Sequence, residues 1–459
     1  MASSKKPASS DLLRPVSDRL STQLTPNRRV TVALSGGVDS VVLLHLLHRL
    51  RGERLFLLSA IHVNHQISPN AADWVEFCVT LCAKLQVPLE VKEVQVPRRS
   101  KAGLEASARA QRYQAFAELD TECLLLAHHL DDQAETVLLN LLRGAGVRGA
   151  AAMPLARDQG SGAPIMRPLL DVPRAALVVY AKRHRLTWIE DESNLDEAFA
   201  RNYLRHAVLP VIEQRFPAYR QTLTRAAGHF AEANSLLDEL AAIDLAHAVR
   251  DGKLKLTLLQ QFSPARAKNL LRAYFAAQGL PALDAERLQD WMHQLINARG
   301  DSQVTLGVAG LELRRYRGEV WIEPSTRVPA ADWQVVWRGE RELAVPELSG
   351  LWSMAPVVGE GMSAEKLNAA PLTLRLRQGG EKLKPECNRP RRSLKKLLQE
   401  AAIPSWQRER LPLLYSGEIL VAAPGIGIDC AFQAKPGENA LRFDWLPTYA
   451  EPIDPDVGA

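Results

Sequence analysis

Cysteine is scarce in this chain, with five among 459 residues. Cys78 and Cys82 stand four apart on an expected helix and the others are single. That inventory argues against a disulfide framework and against the paired spacings of a structural metal site, and it fits a reduced, cytoplasmic protein. No apolar run approaches the ~20 residues needed to span a bilayer, so no membrane role is expected. Met1 to Pro26 carry Ser, Pro and Lys without the apolar core of an export signal. Aromatic residues make up 6% and the net charge is only +5, so composition alone names no nucleic-acid partner. Two phosphate-binding signatures are also missing: Gly-x-x-x-x-Gly-Lys-[Ser/Thr] and Gly-x-Gly-x-x-Gly. What remains is a chain 46% hydrophobic and 24% charged, long enough for several globular domains.

The strongest positive signal is Ser35-Gly36-Gly37-Val38-Asp39-Ser40. An alternating β-branched and apolar run, Arg29 to Leu34, enters it, and apolar residues at helical spacing, Val41 to Leu47, leave it. The pattern predicts a strand, a tight glycine turn and a helix N-terminus, where unpaired N–H groups and the peptide dipoles favour an anion. Gly36 and Gly37 let the backbone approach a phosphate, and Ser35 and Ser40 add hydroxyl donors. Asp39 inside such a cradle would repel phosphate unless a divalent cation such as Mg2+ lies between them; support of the helix N-terminus is the alternative. The hexapeptide resembles the PP-loop of the ATP pyrophosphatases. That resemblance implies cleavage of ATP between its α and β phosphates and use of AMP to activate a substrate oxygen.

The chain continues as alternating strands and helices, so an α/β fold with a parallel sheet is expected. A buried strand over Leu55 to Val63 ends in His62-Val63-Asn64-His65; His62 and Asn64 fall where open α/β sheets bind ligands and are candidates for the adenosine part of ATP. On the helix expected from Leu104 to Leu119, Arg109, Arg112 and Tyr113 share a face. With no Walker lysine, Arg109 and Arg112 are candidate cations for the triphosphate, against simple solvated charge. The strand Cys123 to Ala127 runs into His128-His129-Leu130-Asp131-Asp132-Gln133-Ala134-Glu135-Thr136. Asp131, Asp132 and Glu135 are candidate catalytic groups with Asp39; Asp39 and Asp132 are the candidate magnesium ligands, and a remaining carboxylate is placed to take a proton. Helix capping is the alternative for Asp131 or Asp132 singly. Arg143 and Arg148, in a glycine-rich loop, suit phosphate contact.

This second cluster, with Asn140-Leu141-Leu142-Arg143-Gly144, Arg148-Gly149, Glu105-x-x-x-Arg109-x-x-Arg112-Tyr113, Asp191-x-Ser193-Asn194 and Arg201-Asn202-x-x-Arg205, is similar to the tRNA(Ile)-lysidine synthases. The resemblance implies ATP as co-substrate, free L-lysine and a CAU-anticodon tRNA(Ile) as partners, and Arg201 and Arg205 as tRNA contacts; a homodimer is compatible with it. It also implies a Rossmann-like PP-loop domain of the adenine nucleotide alpha hydrolase type. From Pro371 to Leu411 eleven basic residues face four acidic ones, so the chain's positive charge gathers near its end. There Arg389, Arg391, Arg392, Lys395 and Lys396 surround an amphipathic Leu394, Leu397, Leu398 stripe, and the Leu-Lys-Lys-Leu pattern resembles the last domain of the longer lysidine synthases. Expected boundaries are a tail over 1–25, the catalytic domain over 26–217, a helical connector over 218–247, a mainly helical middle domain over 248–326, an α+β carboxyl-terminal domain over 327–450 and a tail over 451–459. Two other readings compete: a PP-loop tRNA thiolase, which needs cysteines that the active-site motifs lack, and a non-catalytic tRNA-binding protein.

Overall fold

The computed structural model describes residues 12–97, 104–158, 162–298, 304–325, 327–330 and 332–447. The tail expected over 451–459 lies outside them, as do residues 1–11 of the tail expected at the start. The rest of that first tail is a correction: helix α1 (Leu13–Arg19) is part of the main core, with Leu12, Val16, Leu20 and Leu24 all buried. Apolar residues at i, i+4 and i+8 bury one stripe of this segment, a short-range signal that the flanking Ser and Pro obscure in sequence. The chain divides into two compact units, Met1–Leu236 and Leu237–Ala459.

In the first unit, β1 (Arg29–Ala33), α2 (Val38–Arg54), β2 (Leu57–Asn64), α3 (Ala71–Leu85), β3 (Leu89–Glu93), α4 (Leu104–Ala117), β4 (Cys123–Leu125) and α5 (Leu130–Leu142) follow the expected alternation. After the short α6 (Val147–Ala150) come β5 (Ala156–Arg157), β6 (Ile165–Met166) and α7 (Arg174–Arg183). The sheet order is β3-β2-β1-β4-β6-β5, parallel throughout except for β5, which runs against β6. Cys123, Leu124 and Leu125 are wholly buried, as a central parallel strand covered on both faces requires. One face packs against α1, α2, α3 and α7, and the other carries Phe116 and Tyr113 of α4 against Ile61, Leu124 and Ile165. The carboxyl ends of β1 and β4 therefore lie side by side, and each opens directly into a helix.

Helices α2 and α7 meet through a polar contact. His45 Nδ1 lies 3.0 Å from the Tyr180 hydroxyl, Arg49 Nη1 donates to the same oxygen at 3.4 Å, and the His184 ring stands 5.1 Å from that of His45. Burial, then the positive charges of His184, Arg49 and His48, push His45 from its ordinary 6.5 down to about 4. A depressed native value means that the unfolded chain takes up the proton first. The contribution is therefore complete above about pH 6.5 and is lost as pH falls toward 4. A His45→Asn variant is expected to lose less thermal stability than the parent between these two pH values, measured as Tm at each pH.

The second unit begins within a 30-residue helix, Tyr219–Ala248, inside which the division between units falls. Helices Leu256–Gln261, Pro264–Ala277 and Ala285–Asn297 pack on a five-stranded antiparallel sheet. These helices fall in the middle domain expected to be mainly helical, and the sheet accompanies them. The last part holds a five-stranded and a four-stranded antiparallel sheet and the helices Leu394–Glu400 and Ser405–Glu409. Trp406 sits edge-on to Tyr316 and Trp321, with ring centres 5.7 Å and 6.2 Å away, so the basic helical segment is braced on the middle sheet. Cysteine needs a second correction: Cys387 and Cys430 form a disulfide, with Cα atoms 5.3 Å apart. Their separation of 43 residues gives no local signal, and only the folding of the loop after Lys382–Leu383 against Asp429 brings them together. Among the described residues no helix is long and apolar enough to cross a membrane.

Candidate active site

The loop between β1 and α2 adopts the turn that its glycines allow. Gly36 has φ +88° and its carbonyl accepts from the Ile189 N–H at 2.9 Å. A Cβ there would lie 2.6 Å from Ile189 Cδ1. Gly37 is the N-cap and no side chain caps the helix, so the first N–H groups of α2 are left for an incoming anion. Ser40 Oγ donates to the Gly37 carbonyl at 2.9 Å and sits 3.1 Å from Ser35 Oγ, which fixes both hydroxyls on the loop. A Gly36→Ala change forces a left-handed alanine, at about 1–2 kcal/mol, and displaces Ile189. It is expected to raise KM for ATP about tenfold or more with kcat less affected, read from ATP titrations of turnover.

The acidic cluster lies on the neighbouring junction. α5 starts with a reciprocal capping box in which Asp132 Oδ2 accepts from His129 N at 3.1 Å and His129 Nδ1 accepts from Asp132 N at 3.3 Å. His129 Nε2 stands 3.5 Å from Asp39 Oδ2 and 3.4 Å from Asp132 Oδ2. One imidazole, 2% exposed, thus gathers the two carboxylates contributed by β1 and β4. Burial opposes its charge, but the Asp39 hydrogen bond and the charges of Asp132 and Asp131 lift His129 above its ordinary value. Burial likewise resists the charge of Asp132, yet His129, Arg201 and His128 hold it below the usual carboxylate range.

The other two carboxylates are occupied. Glu135, 1% exposed, accepts from Arg201 Nε at 2.8 Å and from Arg205 Nε and Nη2 at 2.7 Å and 2.8 Å. Both arginines also reach Asp132 Oδ1, at 3.1 Å and 3.5 Å. Their spacing of four aligns them across a π-helical turn, Leu204–Val208, just before Pro210, whose ring nitrogen has no hydrogen to donate. Asp131 accepts from Arg220 Nε at 2.5 Å and from the Arg174 N–H at 2.9 Å. Asp39 Oδ1 is buried without a hydrogen-bond partner. Hard oxygen donors and that orphaned oxygen fit a magnesium ion, which takes one or two protein carboxylates and completes its shell with phosphates and water. No preformed cluster of three or more His, Cys, Asp or Glu ligands occurs among the described residues.

The structure therefore brings together Ser35 to Ser40, Asp39, Asp131, Asp132, Glu135, Arg201 and Arg205. Arg201 and Arg205 turn inward onto acidic side chains, away from the role of open RNA contacts. His62 is buried with Nδ1 2.8 Å from the Leu34 carbonyl, and Asn64 Oδ1 accepts from Gln66 N at 2.9 Å, so both brace the loops at this edge. Arg143 follows the far end of α5, about 15–17 Å along the helix from Asp132 at ~1.5 Å per residue, and Arg148, on α6, donates through Nε to Asn234 Oδ1 at 3.5 Å. Arg109 leans on Tyr113, 5.0 Å from the ring centre, whereas Arg112 parts from it and donates to His65 Nε2 at 3.4 Å. Of the cations expected at the carboxyl end, Arg389, Arg391 and Arg392 pair with Glu386, Asp429 and Glu400. Lys395 and Lys396 are exposed and make no ion pair among the described residues. The sequence reading missed Arg174, Arg220 and Ile189 as parts of this site. They sit 43 to 153 residues from their partners, and no local pattern marks them.

A capless helix N-terminus without a Walker lysine, next to a carboxylate pair at the same sheet edge, defines a PP-loop enzyme that uses ATP. Sequence profiles agree: one of the PP-loop domain matches residues 8–212, one of the TilS substrate binding domain matches 254–321, and one of the TilS substrate C-terminal domain matches 372–445. The chain is 44% identical over 456 residues to the tRNA(Ile)-lysidine synthase of Nitrosomonas europaea, covering 99% of each chain. It is 38% identical to that of Coxiella burnetii, covering 93% of this chain and 95% of the other, and 41% identical to that of Pseudomonas aeruginosa, covering 95% and 98%. The chain belongs to the tRNA(Ile)-lysidine synthase family of PP-loop ligases.

Proposed function

We propose that this protein joins L-lysine to C2 of the wobble cytidine in a CAU-anticodon tRNA(Ile), changing the codon read from AUG to AUA. The observation that carries the reading is the convergence of Asp39 and Asp132 on His129 beside an open helix N-terminus. In the first step the cytidine O2 attacks the α-phosphorus of ATP and pyrophosphate leaves. In the second the lysine ε-nitrogen attacks C2, the C2–O bond breaks and AMP leaves. Ser35, the loop N–H groups and Ser40 bind the departing pyrophosphate. Asp39 and Asp132 are the residues that would hold Mg2+, which supplies charge neutralisation on the phosphates. The negative potential of this pair also draws in the lysine ammonium, whose ordinary pKa of ~10.4 keeps it charged at neutral pH and which must lose a proton before attack. Glu135 and Asp131 act as anchors that fix Arg201, Arg205 and Arg220 around the pair. Residues 26–217 carry this chemistry, and the domains after them carry tRNA contact through groups such as Lys395 and Lys396. A tRNA substrate also sets the cytoplasm as the place of action.

A thiolase is disfavoured by the state of the nearest thiol. Cys78 lies below the loop, 3.4 Å from His62 Nδ1, and burial, then its neighbour Cys82, push it up to about 12. A thiol kept protonated is a poor carrier of sulfur. The deciding experiment incubates the protein with ATP, Mg2+, labelled lysine and unmodified CAU-anticodon tRNA. ATP-dependent lysine incorporation supports the reading, and sulfur incorporation or tRNA binding alone refutes it.

A further inference from the structure

On the other side of β4 from the PP-loop lies a group of cations that the chemistry above leaves unused. Arg109 and Arg157 approach the Tyr113 ring with guanidinium carbons 5.0 Å and 6.0 Å from its centre, and Arg109 Nη2 donates to the Tyr113 hydroxyl at 3.3 Å. Arg167, at the end of β6, is 2% exposed. Its Nη1 donates to the Pro154 carbonyl at 2.8 Å, and its Nε is buried with no partner. Burial, together with the charges of Arg157 and Arg109, works against its ionisation, and Tyr113 supports it. Among the described residues none of these three arginines forms an ion pair with a carboxylate. Elsewhere in this unit even half-buried arginines are neutralised, as Arg201 and Arg205 are by Glu135. A buried guanidinium with no carboxylate, as Arg167 is, is costly to hold unless an anion completes it, and the exposed Arg109 and Arg157 extend the same positive field around the half-buried tyrosine.

The placement says which anion. β1, which ends in the PP-loop, and β6 lie on opposite sides of β4. The adjacent histidines at the end of β4 link the two sides of the edge: His129 faces Asp39 and Asp132, while His128, with Nδ1 buried and unpartnered, lies between the charge of Asp132 and those of Arg167, Arg201 and Arg109. The target cytidine must enter at this sheet edge for its O2 to attack, and the cluster borders the edge on the side of β6. An aromatic ring flanked by arginines is also the composition that binds single-stranded RNA, the cations on phosphodiesters and the ring under a base.

Building on the ligase reading, we infer that Arg109, Arg157, Arg167 and Tyr113 form a receptor for the phosphodiester backbone and a stacked base of the single-stranded anticodon segment beside the target cytidine. Arg109 then serves the RNA and not the triphosphate. The test uses the exposed pair, whose loss spares the core. The full-length Arg109→Gln/Arg157→Gln variant and the parent are titrated with unmodified CAU-anticodon tRNA at a series of salt concentrations, and separately with ATP. The expected result is weaker tRNA binding, with the slope of log K against log salt shallower by about 0.7 for each arginine removed, and an unchanged Kd for ATP. A weakened ATP affinity with the tRNA slope intact would give the cluster to the triphosphate and overturn the inference, as would no change in either. Because tRNA binding is read without turnover, failure of the ligase reading shows separately, as absent lysine incorporation by the parent protein.

Discussion

Asp132→Asn lowers lysine incorporation by about 10²–10³-fold, the size of effect that follows loss of one preorganised electrostatic group in a water-poor site, and leaves the protein folded. Asparagine keeps the volume and one acceptor oxygen, so the capping bond from His129 N survives, while Glu135 keeps hold of Arg201 and Arg205. What disappears is the charge opposite Asp39. Without it the pair has a single carboxylate for magnesium and less negative potential for the lysine ammonium, so both steps slow. Two measurements separate this from unfolding: thermal melting, expected to stay near that of the parent, and pyrophosphate release with tRNA present, expected to fall with lysine incorporation. Normal pyrophosphate release with lost lysine transfer would confine Asp132 to the second step and remove it from the metal pair.

Much of this site is legible in sequence because its parts are local. Ser35 to Ser40 and His128 to Glu135 each bundle a strand end, a turn and a helix start into a few residues, so residue type and hydrophobic period disclose both chemistry and geometry. The parallel sheet follows from the same alternation, since β1 and β4 read as buried runs. Partner choice is not local. Arg201 and Arg205 look like open cations, and only the packing of their helical turn against α5 reveals that Glu135 and Asp132 neutralise them. Arg109 and Arg112 share a helix face on paper, yet one goes to Tyr113 and the other to His65, because the side chains diverge at the edge of the sheet. Arg143 shows the same limit: nearness in sequence to an acidic cluster becomes distance once a 13-residue helix intervenes.

The second large effect tests whether Glu135 anchors or reacts. Glu135→Ala removes a carboxylate that is 1% exposed and holds two guanidinium groups, leaving Asp132 as their only acidic contact among the described residues. Breaking a buried ion pair by deleting one partner costs about 3–5 kcal/mol, a large share of the ~5–15 kcal/mol that holds a domain folded. Urea unfolding of Glu135→Ala is therefore expected to show a midpoint well below that of the parent at similar steepness. Glu135→Gln retains the volume and one acceptor, so its loss should be smaller, about 1–3 kcal/mol, with lysine incorporation falling only as far as Arg201 and Arg205 shift. A base or a substrate contact behaves differently, with stability near the parent's in Glu135→Gln and turnover nearly abolished. The geometry favours the anchor, since a buried carboxylate whose oxygens already accept three charge-assisted hydrogen bonds has little acceptor capacity left for a substrate group.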